Sequence, residues 1–188
     1  PLLKAERVAM NFLCHLSGVA TLTRCFVKAV EGTNCRILDT RKTLPGLRAA
    51  EKEAVLHGGG FNHRRNLSEA VLIKENHILL AGSLSKAVQR IKEQGLSPIR
   101  VEVKTLEEVK EAIHSDVHAI LLDNMSLEEM EKAIKIIPST ITIEASGNMN
   151  LERVKKVARL GVHEISIGAL THSAPFADIS FLFEKLME

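Results

Sequence analysis

Apolar residues recur every three or four positions along the first part of the chain, which is the spacing of amphipathic helices. One such run covers residues 5–16 and is followed by Gly18, and glycine commonly ends a helix in the left-handed conformation. A second run extends from about residue 20 to residue 31 and stops at Gly32. The pattern therefore predicts two N-terminal helices.

From Arg36 onward, short β-rich runs alternate with helical segments, which is typical of parallel strands joined by crossover helices. Six strands are predicted, over residues 36–40, 71–76, 99–104, 119–124, 140–146 and 164–168. Helices are predicted between them, over residues 46–56, 83–94, 106–114, 127–136 and 151–160.

Within these strands, polar residues repeat on one face near the carboxyl end, and apolar residues occupy the other face. The apolar face is expected to pack against helices, and it holds Ile73, Val101, Leu122, Ile143 and Ile167. An antiparallel sheet with one face in water would show the same alternation, but the helix-length connections disfavour it. We favour an α/β barrel over an open doubly wound sheet. In a barrel the polar groups would line one mouth, where barrel enzymes keep their sites.

Composition narrows the possible functions. The 188 residues, of which 45% are hydrophobic, suffice for one core, whereas a formal charge of +2 and 3% aromatic residues disfavour nucleic-acid binding. Cys14, Cys25 and Cys35 show no paired spacing and are expected to be free thiols in a reducing compartment. The sequence shows neither a membrane span nor a secretion signal, so we expect a soluble, cytoplasmic protein. Because Pro1 leads directly into a helical pattern, we also expect an excised domain or a truncated chain.

Basic residues follow the first predicted strand. Arg41 and Lys42 stand just after the acidic Asp39 at the strand end, before a Pro-Gly turn. In the next connection, three glycines precede His63 and Arg64 and would let the backbone approach a ligand closely. These side chains could hydrogen-bond a carboxylate or phosphate, although an ordinary surface loop explains the glycines equally well.

Charged residues also end the middle strands. Lys74 is predicted on the barrel-facing side, where it could bind an anion or form a Schiff base as an aldolase lysine does. Glu102 and Asp123 are predicted at matching positions of neighbouring strands, where they could share a magnesium ion or bind sugar hydroxyls. Ion pairing with Lys74 or Lys104 is the structural alternative, and both could hold at once.

Small residues end the last two predicted strands. In barrels, a phosphate commonly rests on backbone N–H groups of the last two strand-to-helix loops and on a helix N-terminus. A phosphate site is therefore predicted here, and its candidate residues are Ser146, Gly147, Asn148, Gly168, Ala169 and His172.

Taken in order, these motifs resemble the quinolinate phosphoribosyltransferase family. The resemblance runs from about Glu6 to Ser180, and its motifs lie at residues 39–48, 58–64, 72–77, 122–124, 144–147 and 168–172. It implies an α/β barrel of seven strands, one more than the pattern shows. It also implies that residues 1–188 are a single catalytic domain and that the family's N-terminal α/β domain is absent from this chain.

The implied activity is phosphoribosyl transfer from phosphoribosyl diphosphate to quinolinate, with decarboxylation, in NAD biosynthesis. The resemblance assigns Thr40, Arg41, Lys42, His63, Arg64 and Lys74 to quinolinate. It assigns Glu102, Asp123, Ser146, Gly147, Asn148, Gly168, Ala169 and His172 to the donor, with the two acids also as ligands of magnesium, the implied cofactor. The residues it implies in catalysis are Lys42, Lys74, Glu102 and Asp123.

The resemblance also implies a homodimer or a hexamer built as a trimer of dimers, in which a neighbouring subunit's N-terminal domain completes the quinolinate pocket. Turnover by this chain alone is therefore expected to be low. Three alternatives to this reading stay open: a paralogous phosphoribosyltransferase with another substrate, a Schiff-base aldolase that uses Lys74, and a non-catalytic phosphometabolite-binding barrel.

Overall fold

One long helix begins the structure. The computed structural model describes residues 2–182, so Pro1 and residues 183–188 of the predicted domain lie outside it. Helix α1 spans Leu2–Ala29 without interruption, and the prediction of two helices is therefore wrong. Gly18 does not end a helix, because its missing side chain makes room for a later segment: a Cβ atom there would lie 1.9 Å from the carbonyl oxygen of Pro175.

Six parallel strands form one sheet in the order β1-β6-β5-β4-β3-β2. They are β1 (Arg36–Leu38), β2 (Val71–Ile73), β3 (Ile99–Val103), β4 (Ala119–Asp123), β5 (Thr142–Ser146) and β6 (Glu164–Ser166). All six lie within the predicted ranges, and most end one to three residues earlier at the carboxyl side. The α/β class and the parallel arrangement are confirmed.

Seven further helices connect or follow the strands. They are α2 (Arg48–His57), α3 (Glu75–Ala81), α4 (Leu84–Glu93), α5 (Leu106–His114), α6 (Leu127–Ile136), α7 (Leu151–Arg159) and α8 (Ala169–His172). Side-chain oxygens of Ser83, Thr105, Ser126 and Asn150 cap four of them by accepting a bond from the third N–H group. Helices α3 and α8 were not predicted, because both are shorter than the window in which a helical period becomes visible.

The gap between the two edge strands, β1 and β2, is filled by residues 60–64. Phe61 donates its N–H to the carbonyl of Ile37 at 2.8 Å and accepts a bond from the N–H of Asp39 at 3.1 Å, which makes an isolated parallel bridge. On the other side, the Arg64 guanidinium donates to the carbonyl of Ala70, just before β2, at 2.8 Å. This segment stands where the implied seventh strand would be.

Charged side chains meet inside the curled sheet. Arg100 of β3 pairs with Glu144 of β5 and, at 2.7 Å, with Glu164 of β6, although β4 lies between β3 and these two neighbouring strands. Glu164 also accepts a bond from Arg36 of β1 at 2.5 Å. Such contacts require the sheet to be strongly curved, which agrees with the predicted barrel.

The apolar face packs outward against the helices, as predicted. Its members are Ile73, Val101, Leu122, Ile143 and Ile167, all buried in the hydrophobic core. Among the described residues, no helix is both long and apolar enough to cross a lipid bilayer. The three cysteines are free, and burial together with nearby Glu164 raises the pKa of Cys35 to about 12.

Candidate active site

One cleft of about 920 Å³ opens at the carboxyl ends of the strands. It gathers residues from every strand end and from the segment between β1 and β2. All the residues predicted for the site line it: Thr40, Arg41, Lys42, His63, Arg64, Lys74, Glu102, Asp123, Ser146, Gly147, Asn148, Gly168, Ala169 and His172. The fold thus brings the whole candidate set to one mouth.

The charges around this mouth fall into three sectors, which follow from the order of the strands. The cationic sector comes from the ends of β2, the 60–64 segment and β1, and comprises Lys74, His63, Arg64, Arg41 and Lys42. The glycine sector follows β6 and β5 and comprises residues 168–172 and 146–148. The acidic sector comprises Asp123 of β4 and Glu102 of β3.

Two guanidinium groups in the cationic sector, those of Arg41 and Arg64, lie close enough for their charges to interact. The Nε atoms of Arg41 and Arg64 are buried and lack a hydrogen-bond partner among residues 2–182. Burial first, and then the charge of Arg41, lowers the pKa of Arg64. An anion bound between the two groups would satisfy both Nε–H donors and remove the repulsion.

A buried ion pair holds the backbone beneath this sector. Asp39 is fully buried, and one of its oxygens accepts bonds from Lys52 at 2.5 Å and from the N–H of His63 at 2.8 Å. The Lys52 ammonium also donates to the carbonyl of His63 at 2.9 Å. Burial is the main cause that raises the pKa of Asp39, and these bonds oppose it. Lys52 was not predicted for the site, and its one signal in the sequence is a charged residue on the buried side of α2.

Lys74 does not continue β2 but caps α3, so the prediction of a strand through residue 76 is wrong. Its side chain is 48% exposed and its ammonium pairs with Glu102, as the structural alternative allowed. Lys104 pairs instead with Glu75. A Schiff-base lysine needs a desolvated amine, and this half-exposed, ion-paired lysine does not provide one.

Glu102 and Asp123 are not at matching positions, contrary to the prediction. The register pairs Glu102 with Leu121 and pairs Asp123 with Ser146, so Asp123 stands two residues nearer the mouth. This offset is roughly 7 Å along the strand, and the longer glutamate side chain makes up part of it. Asp123 accepts bonds from the Ser146 hydroxyl at 2.6 Å and from the Asn124 amide at 2.9 Å.

Glu102 and Asp123 are better suited to a weakly bound hard cation than to a metal ion that is coordinated entirely by protein side chains. Among the described residues, no three His, Cys, Asp or Glu side chains are grouped so that they could hold a metal ion. Mg²⁺ is usually bound by one or two carboxylates together with substrate phosphates and water. Glu102 and Asp123 could supply those one or two carboxylates if a bound phosphate group supplied further oxygens.

The glycine sector contains a backbone that only glycine can adopt at Gly147. Its φ is +93°, and a Cβ atom there would lie 2.8 Å from the backbone nitrogen of Asn124. The Asn148 side chain turns to the same neighbour and donates to its amide oxygen at 3.2 Å. Asn124, a cleft residue with a φ of 55°, was not predicted for the site, although an asparagine after a strand is a signal for such a turn.

Comparison with known proteins decides the family. Residues 19–182 match the family model described as "Quinolinate phosphoribosyl transferase, C-terminal domain". The chain belongs to this family. Membership in the quinolinate phosphoribosyltransferase family agrees with the resemblance stated from the sequence motifs.

Individual relatives support the assignment. A relative from Synechocystis sp. is 47% identical in an alignment of 184 positions that covers 95% of this chain and 62% of the relative. The nicotinate-nucleotide pyrophosphorylase (carboxylating) of Mycobacterium leprae is 43% identical, over 95% of this chain and 64% of its own length. The solved nicotinate-nucleotide pyrophosphorylase of Francisella tularensis superposes with a TM-score of 0.90 at 43% identity, over 95% of this chain and 64% of that one. The chain thus spans less than two thirds of the quinolinate phosphoribosyltransferases that it matches.

Proposed function

We propose that the protein transfers the phosphoribosyl group of phosphoribosyl diphosphate to the ring nitrogen of quinolinate, giving nicotinate mononucleotide, diphosphate and carbon dioxide. The order of the three sectors around one mouth carries this proposal. A dicarboxylate, a phosphate and a ribose each find a sector of suitable chemistry, and the sectors are contiguous. The names of the relatives support the same reaction.

Quinolinate is assigned to the cationic sector. Its two adjacent carboxylates suit Arg41 and Arg64, both of which line the cleft and have buried Nε atoms without a hydrogen-bond partner among the described residues. Guanidinium groups bind carboxylates through two parallel hydrogen bonds, which also orient the ring. Thr40, His63, Lys74 and Lys42 complete the wall of this sector.

The phosphoribosyl donor is assigned to the other two sectors. Backbone N–H groups around Gly147 and Gly168 would hold the 5-phosphate, together with Ser146, Asn148, Ala169 and His172. Glu102 and Asp123 would accept bonds from the ribose hydroxyls and would hold magnesium. When bound, magnesium would neutralise part of the charge of the diphosphate.

The chemistry needs no nucleophile from the protein. The pyridine nitrogen forms a bond to the anomeric carbon with its lone pair, while the bond from that carbon to the diphosphate oxygen breaks. The ring nitrogen then carries a positive charge, which stabilises the electron pair left on the adjacent ring carbon when its carboxylate departs as carbon dioxide. A proton then bonds to that carbon. The protein holds the reactants in line, and Lys42 and Lys74 stabilise the negative charges nearby.

Oligomeric state and location are parts of the proposal. We expect a homodimer or a hexamer built as a trimer of dimers, with a neighbouring subunit completing the acceptor pocket. Apolar side chains on the surface support association: Leu79 and Leu80 of α3 are 77% and 81% exposed, close in sequence to Lys74. Light scattering of the purified full-length protein measures the mass directly. We expect the protein in the cytoplasm.

The reaction is tested by release of labelled carbon dioxide from carboxyl-labelled quinolinate in the full-length protein. Release should require phosphoribosyl diphosphate and magnesium and should match the nicotinate mononucleotide formed. Nicotinate, which has one carboxylate, should be used at least about a hundredfold less efficiently, since each lost charged hydrogen bond costs about 1.5–3 kcal/mol. No release from quinolinate, or better use of nicotinate, would overturn the proposal.

Arg41→Lys tests which ligand the cationic sector binds. Lysine keeps the charge and loses the planar fork, so the KM for quinolinate should rise about tenfold or more while that for the donor stays within about threefold. Arg159→Lys makes the same change on the exposed face of α7 and serves as the control. Equal losses for both substrates would mean that Arg41 does not belong to the acceptor site.

A further inference from the structure

The loop that carries Arg41 and Lys42 has no regular structure of its own and is held by side chains. From α2, Arg48 donates to the carbonyl of Arg41 at 3.2 Å and to the hydroxyl of Thr43 at 3.1 Å. Glu51, also in α2, accepts a bond from the N–H of Leu44 at 3.2 Å. These bonds fix the loop to the helix that follows it in sequence.

One further bond fixes the loop to a distant part of the cleft. The hydroxyl of Thr171 donates to the carbonyl of Lys42 at 2.7 Å, although 129 residues separate the two in sequence. Thr171 is 1% exposed and lies in α8, the turn that forms the glycine sector after β6. Its other acceptor, the carbonyl of Gly168, is farther away at 3.1 Å. A single hydroxyl proton therefore favours the bond to Lys42.

The side chain of Lys42 packs against the same turn. Gly168 has a φ of −64°, which any residue can adopt, so backbone conformation does not require glycine there. A Cβ atom on Gly168 would lie 3.1 Å from Cδ of Lys42 and 3.1 Å from Nε2 of His172. Glycine at this position leaves room for the lysine stem to cross the turn.

We propose that Thr171 is a positioning residue, which acts through Lys42 by fixing it against the turn of residues 168–172. The proposal rests on the function proposed above, in which Lys42 lies where acceptor and diphosphate meet. The main-chain bond and the side-chain packing are separate contacts to the same turn. Because they join the loop after β1 to the loop after β6, the cation and the phosphate-binding turn keep one relative position. A displacement of about 1 Å can reduce a rate by about a hundredfold.

The first test compares isosteric variants of the full-length protein. Thr171→Val removes the hydroxyl and should lower kcat about tenfold or more, with little change in the KM for quinolinate. Thr171→Ser restores the hydroxyl and should stay within about threefold of wild type. Thr23→Val is the matched control, since Thr23 is also buried and donates to a carbonyl, that of Val19 in α1, at 2.8 Å. It should lose stability without losing kcat.

A double-mutant cycle separates positioning from a loss of folding. If Thr171 acts through Lys42, then Thr171→Val should cost little more once Lys42→Ala is present. If the two substitutions instead reduce kcat independently, so that their losses multiply, the proposal is overturned. It is also overturned if the wild type is active and Thr171→Val has the same activity.

Calorimetric titration with inorganic diphosphate measures binding without turnover, and it applies the same double-mutant cycle to the dissociation constant. Thr171→Val should weaken binding at least about threefold when Lys42 is present and not measurably in Lys42→Ala. If the wild type releases no carbon dioxide but this coupling is found, the function is wrong and the positioning holds. If the wild type turns over and neither coupling is found, the positioning is wrong.

Discussion

At the scale of single residues, hydrogen bonding determines which nitrogen of His63 carries the proton. The N–H of Arg64 donates to Nδ1 of the ring at 2.9 Å, so a neutral ring carries its proton on Nε2, which lies 3.4 Å from a carboxylate oxygen of Glu144. Burial, and then the positive charge of Arg100, lowers the pKa of His63 to about 4. Arg64 and Lys52 act in the same direction, and Glu164 opposes them. The ring is therefore neutral at pH 7 and contributes shape and a hydrogen bond rather than charge.

This shift predicts a pH dependence of stability. Between pH 6.5 and about 4 the unfolded chain binds a proton at His63 that the native protein does not bind, so the free energy of unfolding falls as the pH falls through this window. The loss from this group should reach about 3 kcal/mol near pH 4, at 1.36 kcal/mol for each unit of pKa difference. Urea unfolding of wild type and His63→Gln from pH 7 to pH 4.5 measures it, because the other titrating groups are shared. A ring that titrates near 6.5 by NMR would contradict the prediction.

At the scale of elements, the sequence pattern identified the strands and five of the helices but divided α1 in two. Periodicity and capping are local signals, and Gly18 by those signals ends a helix. The structure uses the glycine differently, because the segment around Pro175 packs directly on the helix backbone there. The N–H of Ala177 then donates to the carbonyl of Cys14 at 2.9 Å. Local pattern could not show this, since the two segments are far apart in sequence.

Gly18→Ala tests that use of the glycine. Helix propensity alone would stabilise the protein by about 1 kcal/mol, but the new methyl group must displace the carbonyl of Pro175. We expect a net destabilisation of about 1–3 kcal/mol, in the range of overpacked cores, and faster hydrogen exchange at the amide of Ala177. Asn11→Ala, on the exposed face of the same helix, is the control and should be neutral or slightly stabilising. A stabilised Gly18→Ala protein would show that Gly18 is merely a weak helix residue.

At the scale of the whole molecule, a charged layer joins four strands inside the barrel. Arg36, Arg100 and Glu164 line a second cavity of about 440 Å³ at the amino ends of the strands, whereas Glu144 lines the cleft. Arg100 links the two acids, and Glu144 also accepts a bond from the hydroxyl of Ser166. Glu144 is fully buried and pairs with Arg100, so removing Arg100 leaves this buried carboxylate without that cation.

Arg100→Met should therefore destabilise the protein strongly, by about 3–5 kcal/mol in urea unfolding at pH 7. The double variant Arg100→Met with Glu144→Gln should recover part of this loss, because it removes the stranded charge as well. Arg159→Met, on the exposed face of α7, is the control for the loss of an arginine. A loss below about 1 kcal/mol would mean that the layer does not hold the strands together.

By itself, the sequence determined the type and order of the strands, the outward apolar face and the residues that meet at the mouth. These properties depend on a period of two and on crossover connections, which are local. The tertiary structure decided the stagger between Glu102 and Asp123, the unbroken α1, the Asp39 and Lys52 pair and the bond from Thr171 to Lys42. Each of these depends on how the closed sheet and its covering segments meet, and no local pattern encodes contacts between distant residues.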